Sequence, residues 1–233
     1  MATIEAKSIR ALISTLKSKG YEVYDAPNKL NIIGVRSNTT KPNKFDDKIY
    51  AFWKEPTGDW KGKYWTATTD PGTYYLNNPL SNLGTAILKQ GQYKDAYAIG
   101  LHKGQYTALV QTKPVTVIRD YDRNAVLDFY NGREETGLFG INIHKAGKDS
   151  SEVDQWSAGC QVFSKSSDFA EFIDLAQKQK SLYGNKFTYT LIDERSYNRY
   201  LKRIGVYLGI SLVLIATWVG YRAYVKKPIL SKL

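Results

Sequence analysis

Cys160 is the only cysteine and His102 and His144 the only histidines in this chain of 233 residues. The cysteine stands in Gln155-Trp-Ser-Ala-Gly-Cys-Gln-Val-Phe163, after a small-residue turn and before an apolar pair. His144 closes the run Gly137-Leu-Phe-Gly-Ile-Asn-Ile-His144, sixteen positions before the cysteine. Cysteine catalysis needs a thiolate, and therefore an imidazole within reach of the thiol proton. It also needs backbone N–H groups aimed at the oxygen that becomes negative. Gly159 lets the chain approach a substrate carbonyl with no Cβ in the way. These residues supply the parts of a nucleophile–base pair. The same types also suit a small buried cysteine and a strand-end histidine held by hydrogen bonds.

The elements that must position them are mostly strands. Short β-prone runs occupy 21–24, 30–35, 49–53, 64–68, 73–76, 96–101, 107–111, 115–119 and 140–144. Turn signals such as Pro56-Thr-Gly-Asp59, Asp70-Pro-Gly72 and Asn131-Gly132 separate them, which points to a sandwich or barrel rather than βαβ units. Ahead of the strands, Ile9, Leu12, Ile13 and Leu16 recur at helical spacing, with Gly20 as C-cap. This amphipathic helix over 1–20 is expected to pack on the main domain, 21–198. After the cysteine, Asp168 and Glu171 have the spacing of a capping box. Phe169, Phe172, Ile173 and Ala176 then line one helical face. Gly184-Asn185 turns the chain into a last strand, 187–192. The expected class is mainly β with added helices.

Around Cys160 and His144 the chain resembles the catalytic domain of L,D-transpeptidases, cysteine enzymes that act on peptidoglycan stem peptides. Ile143-His144 and Ser157-Ala-Gly-Cys160 stand for its two motif parts, and Thr69-Asp-Pro-Gly-Thr-Tyr-Tyr-Leu76 is similar to its Thr-Pro-x-Gly hairpin. The ending Trp156-Ser-Ala-Gly-Cys-Gln161 resembles the variant of this fold common in bacteriophage genomes. The likeness spans roughly residues 60–165. It implies a β-sandwich or barrel in which Cys160 attacks a stem-peptide carbonyl and His144 serves as base and then acid. It further implies that Ser157 holds the imidazole through its main-chain carbonyl. Gly159 and Cys160 would form the oxyanion hole, and no metal or organic cofactor is required. The chain departs from the family pattern at Ala158, where a histidine is usual, at Gln161, and at Val162. These changes bear on substrate and acceptor choice, and hydrolysis is open beside transfer. Trp156, His102, Asn142 and Arg119 are the further candidates for contact with the stem peptide, each also readable as structural.

Composition narrows the remainder. With 42% apolar, 24% charged and 13% aromatic residues, the chain is neither disordered, collagen-like nor a coiled coil, and one cysteine excludes a disulfide framework. The net charge of +11 suits an anionic polymer or plain solvation, and no nucleic-acid module is present. The uncharged run 204–221 would span roughly 27 Å as a helix, enough to cross a bilayer once. Segment 199–233 therefore reads as a C-terminal membrane anchor with a basic tail. The N-terminus carries no apolar stretch of secretory type. A wall enzyme ahead of a C-terminal anchor suggests association with a virion or a host membrane. Two other readings stay open: a zinc hydrolase using His102, His144 and Cys160, and a membrane-anchored, non-enzymatic structural or binding protein on a degenerate enzyme fold.

Overall fold

A computed structural model describes residues 2–204. It begins with β1 (Ala2–Thr3), α1 (Ala6–Ser18), β2 (Asn31–Arg36), β3 (Asp47–Lys54) and β4 (Trp60–Thr68). A short helix α2 (Thr73–Asn77) follows, then β5 (Thr85–Leu88), β6 (Gly91–His102), β7 (Tyr106–Gln111), β8 (Val115–Asp120) and β9 (Arg133–Gly137). The last third holds β10 (Ile143–Lys145), a 3₁₀ turn (Asp154–Trp156), β11 (Gln161–Phe163), α3 (Ser166–Tyr183), β12 (Phe187–Asp193) and a helix α4 over 194–204. The chain is mainly β with added helices.

Strands β4-β11-β10-β7-β6-β12-β2-β3 are hydrogen-bonded in that order, and β3 pairs back onto β4, so the sheet closes into a barrel. Alternation along the strands sends Ile32, Ile49, Ala51, Ala67, Leu109, Ile143, Phe163, Tyr189 and Leu191 into one buried cluster. The opposite faces of β2, β3 and β12 offer Ile33, Val35, Tyr50, Phe52 and Ile192, and α1 covers them with Ile9, Leu12 and Leu16. This is the packing expected of the N-terminal amphipathic helix. Its end is closed by Gly20, whose N–H bonds to Lys17 O at 3.0 Å.

A second sheet, β5-β8-β9, contributes Ala86, Leu88, Val115 and Val117 to the first cluster, where they meet Ile141. Helix α3 adds Phe169, Phe172 and Ala176. The Phe172 ring lies 5.0 Å from that of Phe163 and 5.7 Å from that of Trp65, centroid to centroid.

Several expectations need correction. Residues 21–24 form no strand: Tyr24 N–H is taken by the Asn31 side chain at 2.8 Å rather than by a ladder. Segment 73–76 is helical despite its β-prone residues. Gly72 O accepts the N–H of both Tyr75 and Leu76, and the turn buries Leu76 against Ile87 and Leu127. The capping box at Asp168 does not form. Helix α3 starts two residues earlier, Asp149 Oδ1 takes the Ser166 N–H at 2.9 Å, and Glu171 is turned to Lys63 and to Trp65 Nε1. Of the presumed anchor 204–221, all but Ile204 lies outside the described residues. Among the described residues no helix is long and apolar enough to cross a membrane.

Because Phe172 is fully buried among aromatic neighbours, Phe172→Ala should cost about 3–5 kcal/mol in urea unfolding. A loss below about 1 kcal/mol would mean that α3 is not part of the core.

Candidate functional site

The geometry of the site begins with a parallel strand pair. Ile143 of β10 is in register with Gln161 of β11, and His144 with Val162. The Gln161 N–H extends the ladder by one step, donating to Asn142 O at 2.9 Å. Residues beside each other in register share a face, so Asn142, His144 and Cys160 lie together, opposite the buried Ile143 and Gln161. The inward register is held by polar as well as apolar groups. Gln161 Oε1 accepts the Tyr189 hydroxyl at 2.7 Å, and Gln161 Nε2 reaches Thr69 O at 3.4 Å.

Cys160 and His144 open into a cavity of about 450 Å³, which also takes in His102, Asn142, Arg119 and Trp156. Thus six of the eight sequence-derived candidates share one cleft. His102, at the end of β6, stacks its ring on that of His144 at 4.0 Å between centroids and 19° between planes. Trp156 lies on the 3₁₀ turn and packs against Gly147. Arg119 is almost fully buried. Its Nε pairs with Glu135 at 2.8 Å, one terminal nitrogen donates to Gly84 O at 3.2 Å, and the guanidinium sits over the Phe139 ring.

Ser157 and Gly159 stand behind the cavity rather than in it. The expectation that the Ser157 carbonyl holds the imidazole is corrected: that carbonyl accepts the Gly72 N–H at 2.9 Å. His144 Nδ1 instead lies 2.8 Å from its neighbour's carbonyl, Lys145 O, and 3.1 Å from the Tyr106 hydroxyl. A carbonyl only accepts, so Nδ1 carries the proton and Nε2 offers a free lone pair. The Ser157 hydroxyl braces the nucleophile turn, donating to Cys160 O at 2.8 Å and accepting the Gly159 N–H at 3.1 Å. That N–H is therefore already engaged, whereas the Cys160 N–H has no hydrogen-bond partner among the described residues. Gly159 itself has φ +119°, and a Cβ there would stand 2.1 Å from Ala86 O. Close packing against β5 is what demands glycine at this position.

The protons on the second imidazole are also fixed. Gln111 N–H donates to Asn142 Oδ1 at 2.9 Å, which leaves Asn142 Nδ2 to donate to His102 Nδ1 at 3.1 Å. Neutral His102 then carries its proton on Nε2.

Burial dominates the electrostatics. It lowers His144 from 6.5 to about 3, with the neighbouring His102 adding to the effect. It raises the Cys160 thiol to about 11, against the pull of the Asn142 N–H and of Lys103. His102 is lowered as well, first by burial and then by Lys103. The resting pair is a neutral thiol and a neutral imidazole, not an ion pair. In this state the thiol donates to Gly140 O at 3.3 Å and accepts the Asn142 N–H at 3.4 Å. Among the described residues no hydrogen bond links it to either histidine.

Sequence reasoning missed Tyr106, the Lys145 carbonyl, and Lys103, which lines the cavity from the left-handed turn between β6 and β7. The one visible signal for that turn was Lys103-Gly104 between two β-prone runs. The ligand atoms of His102, His144 and Cys160 do not cluster within 4.8 Å of one another, which removes the geometry a zinc site would need. In comparisons with known proteins, no family model, no curated protein and no solved structure matches this chain.

Between pH 6.5 and about 3 the unfolded chain takes up a proton at His144 that the folded chain refuses, so stability should fall as pH drops through that window. His144→Gln should flatten the decline in urea titrations, and an unchanged slope would assign it to other groups. Gly159→Ala should lose at least about 1–3 kcal/mol, from strain at positive φ together with the clash on Ala86. Equal stability of the variant would mean that the turn is not packed on β5.

Proposed function

We propose that the chain is a peptidoglycan-modifying cysteine enzyme, acting on stem peptides through a thioester on Cys160 as an L,D-transpeptidase or its hydrolytic counterpart. One observation carries the reading: the parallel β10–β11 register puts Cys160 and His144 on one face of the same cleft, with the His144 Nε2 lone pair unengaged. The motif residues resembling that family, Ile143-His144 and Ser157-Ala-Gly-Cys160, are the ones brought together. The hairpin-like segment meets them through Gly72 N–H on Ser157 O.

In this reading the thiol turns from Gly140 O toward His144 as substrate enters. Nε2 takes the proton while Sγ forms a bond to the carbonyl carbon of the L-centre of a stem peptide. The carbonyl oxygen becomes an oxyanion facing the Cys160 N–H. The C–N bond to the next residue breaks, and His144 returns the proton to the leaving amine. Water or a second amine then attacks the thioester, giving cleavage or a new crosslink. Because thiol and imidazole both rest neutral, proton transfer must accompany attack rather than precede it. Lys103 gives the cleft a cationic edge suited to a carboxylate-bearing peptide, and Trp156 gives it an apolar wall, while Arg119 lines the cleft with its charge met by Glu135. Membrane attachment through 204–221, on a virion or in an infected host, belongs to the same proposal. A second reading, a non-catalytic binding protein on this fold, is favoured by the thiol held near 11 and by the engaged Gly159 N–H.

The full chain incubated with purified peptidoglycan should change its fragment pattern in mass spectrometry, and Cys160→Ala should abolish the change. His144→Ala should slow it by about 10²–10⁴-fold. Identical patterns for wild type and Cys160→Ala would leave the binding-protein reading standing.

A further inference from the structure

Beyond β8 the chain reads Asp120-Tyr-Asp122-Arg-Asn124-Ala-Val-Leu-Asp128. Asp120, Asp122 and Asn124 have the spacing of the first, third and fifth ligands in oxygen-donor cation loops. The glycine and the terminal glutamate of such loops are absent, Ala125 and Asn131 standing in their places. The structure brings one carboxylate oxygen each of Asp120, Asp122 and Asp128 within 4.8 Å of one another.

A separate observation points to a ligand. Asp120 is fully buried, and while its Oδ2 accepts the Asp128 N–H at 3.1 Å, its Oδ1 is sealed from solvent with no hydrogen-bond partner. An orphaned carboxylate oxygen in the interior is costly unless something positive meets it. Among the described residues no basic side chain stands within 4.0 Å of any of the three carboxylates, and the adjacent Arg119 is turned to Glu135.

We propose that Asp120, Asp122 and Asp128 bind a hard divalent cation of the calcium class, with Asp120 Oδ1 as the ligand at the buried end. An all-oxygen donor set on an irregular loop suits calcium better than zinc, which prefers nitrogen and sulfur, or magnesium, which demands near-ideal octahedral geometry. The position gives the ion a structural task. Asp120 pairs with Thr85 across β5 and β8, and Thr85 and Arg119 both line the candidate cleft. Leu127, inside the loop, packs with Leu76 and Ile87. Occupancy would pin the end of β8 and the loop beside the cleft wall, whatever chemistry Cys160 performs.

The test uses the full chain, stripped with chelator and titrated with calcium chloride. Its melting temperature should rise with the logarithm of calcium concentration above Kd, by roughly 5–10 °C at a hundredfold excess over Kd, and calorimetry should give one ion per chain. Magnesium chloride at equal concentration should do less. The double variant Asp122→Asn with Asp128→Asn should lose the response yet melt, without metal, no lower than stripped wild type, since it removes carboxylate repulsion. A wild type indifferent to calcium, or a double variant that keeps the full shift, would overturn the site.

Discussion

The parallel pairing of β10 with β11 is the constraint on which the rest depends. Parallel neighbours cannot be joined by a tight turn. The chain must leave β10 at Lys145, travel through the 3₁₀ turn at Asp154–Trp156, and re-enter the sheet at Gln161 in the same direction. That excursion supplies the nucleophile turn. A slip of one residue would carry Cys160 to the inner face and Gln161 to the outer one. The register is held against such a slip by Phe163 in the aromatic core and by Gln161, whose amide is satisfied by Tyr189 and Thr69.

The same enclosure that fixes the geometry sets the protonation states. His144 is buried under His102 and tied by Nδ1 to its own strand, which selects one tautomer and keeps the ring neutral. Cys160 is kept as a thiol by the loss of water around it. Burial therefore works against a preformed ion pair, while the base nitrogen Nε2 keeps no hydrogen-bond partner among the described residues. Such a centre depends on substrate to bring the proton and the nucleophile into line. Ser157, assigned to the imidazole by resemblance, braces the cysteine turn instead, while the imidazole is held by Lys145 O and the Tyr106 hydroxyl.

Much of the arrangement was legible in the sequence. The short β-prone runs of β2, β3, β7 and β8, bounded by turn signals, and the helical spacing of Ile9, Leu12 and Leu16 are local patterns, and much of the burial follows them. That Cys160 and His144 share a cleft was implied by the family resemblance, with Asn142 suggested by alternation along the His144 strand and Trp156 by its place beside the cysteine motif. The parts that escaped are those decided by distant contacts. Thr73-Tyr-Tyr-Leu76 has β-prone residues but becomes helical because Gly72 is locked onto the loop at Asp154 and Ser157. The capping role of Asp149 on α3, and the grip of Tyr106 on His144, join residues far apart in the chain with no periodic signal. Strand β9, Arg133–Gly137, is largely polar and gains its place only from pairing with β8.

The most direct measurement is intact-protein mass spectrometry of the full chain mixed with a stem-peptide muropeptide and quenched in acid. The account predicts a single acyl adduct that maps to Cys160 and is released by hydroxylamine, forming about 10²–10⁴-fold more slowly when His144 is replaced by alanine. An unmodified wild-type protein at every time of quenching, or an adduct that forms equally well without the imidazole, would contradict it.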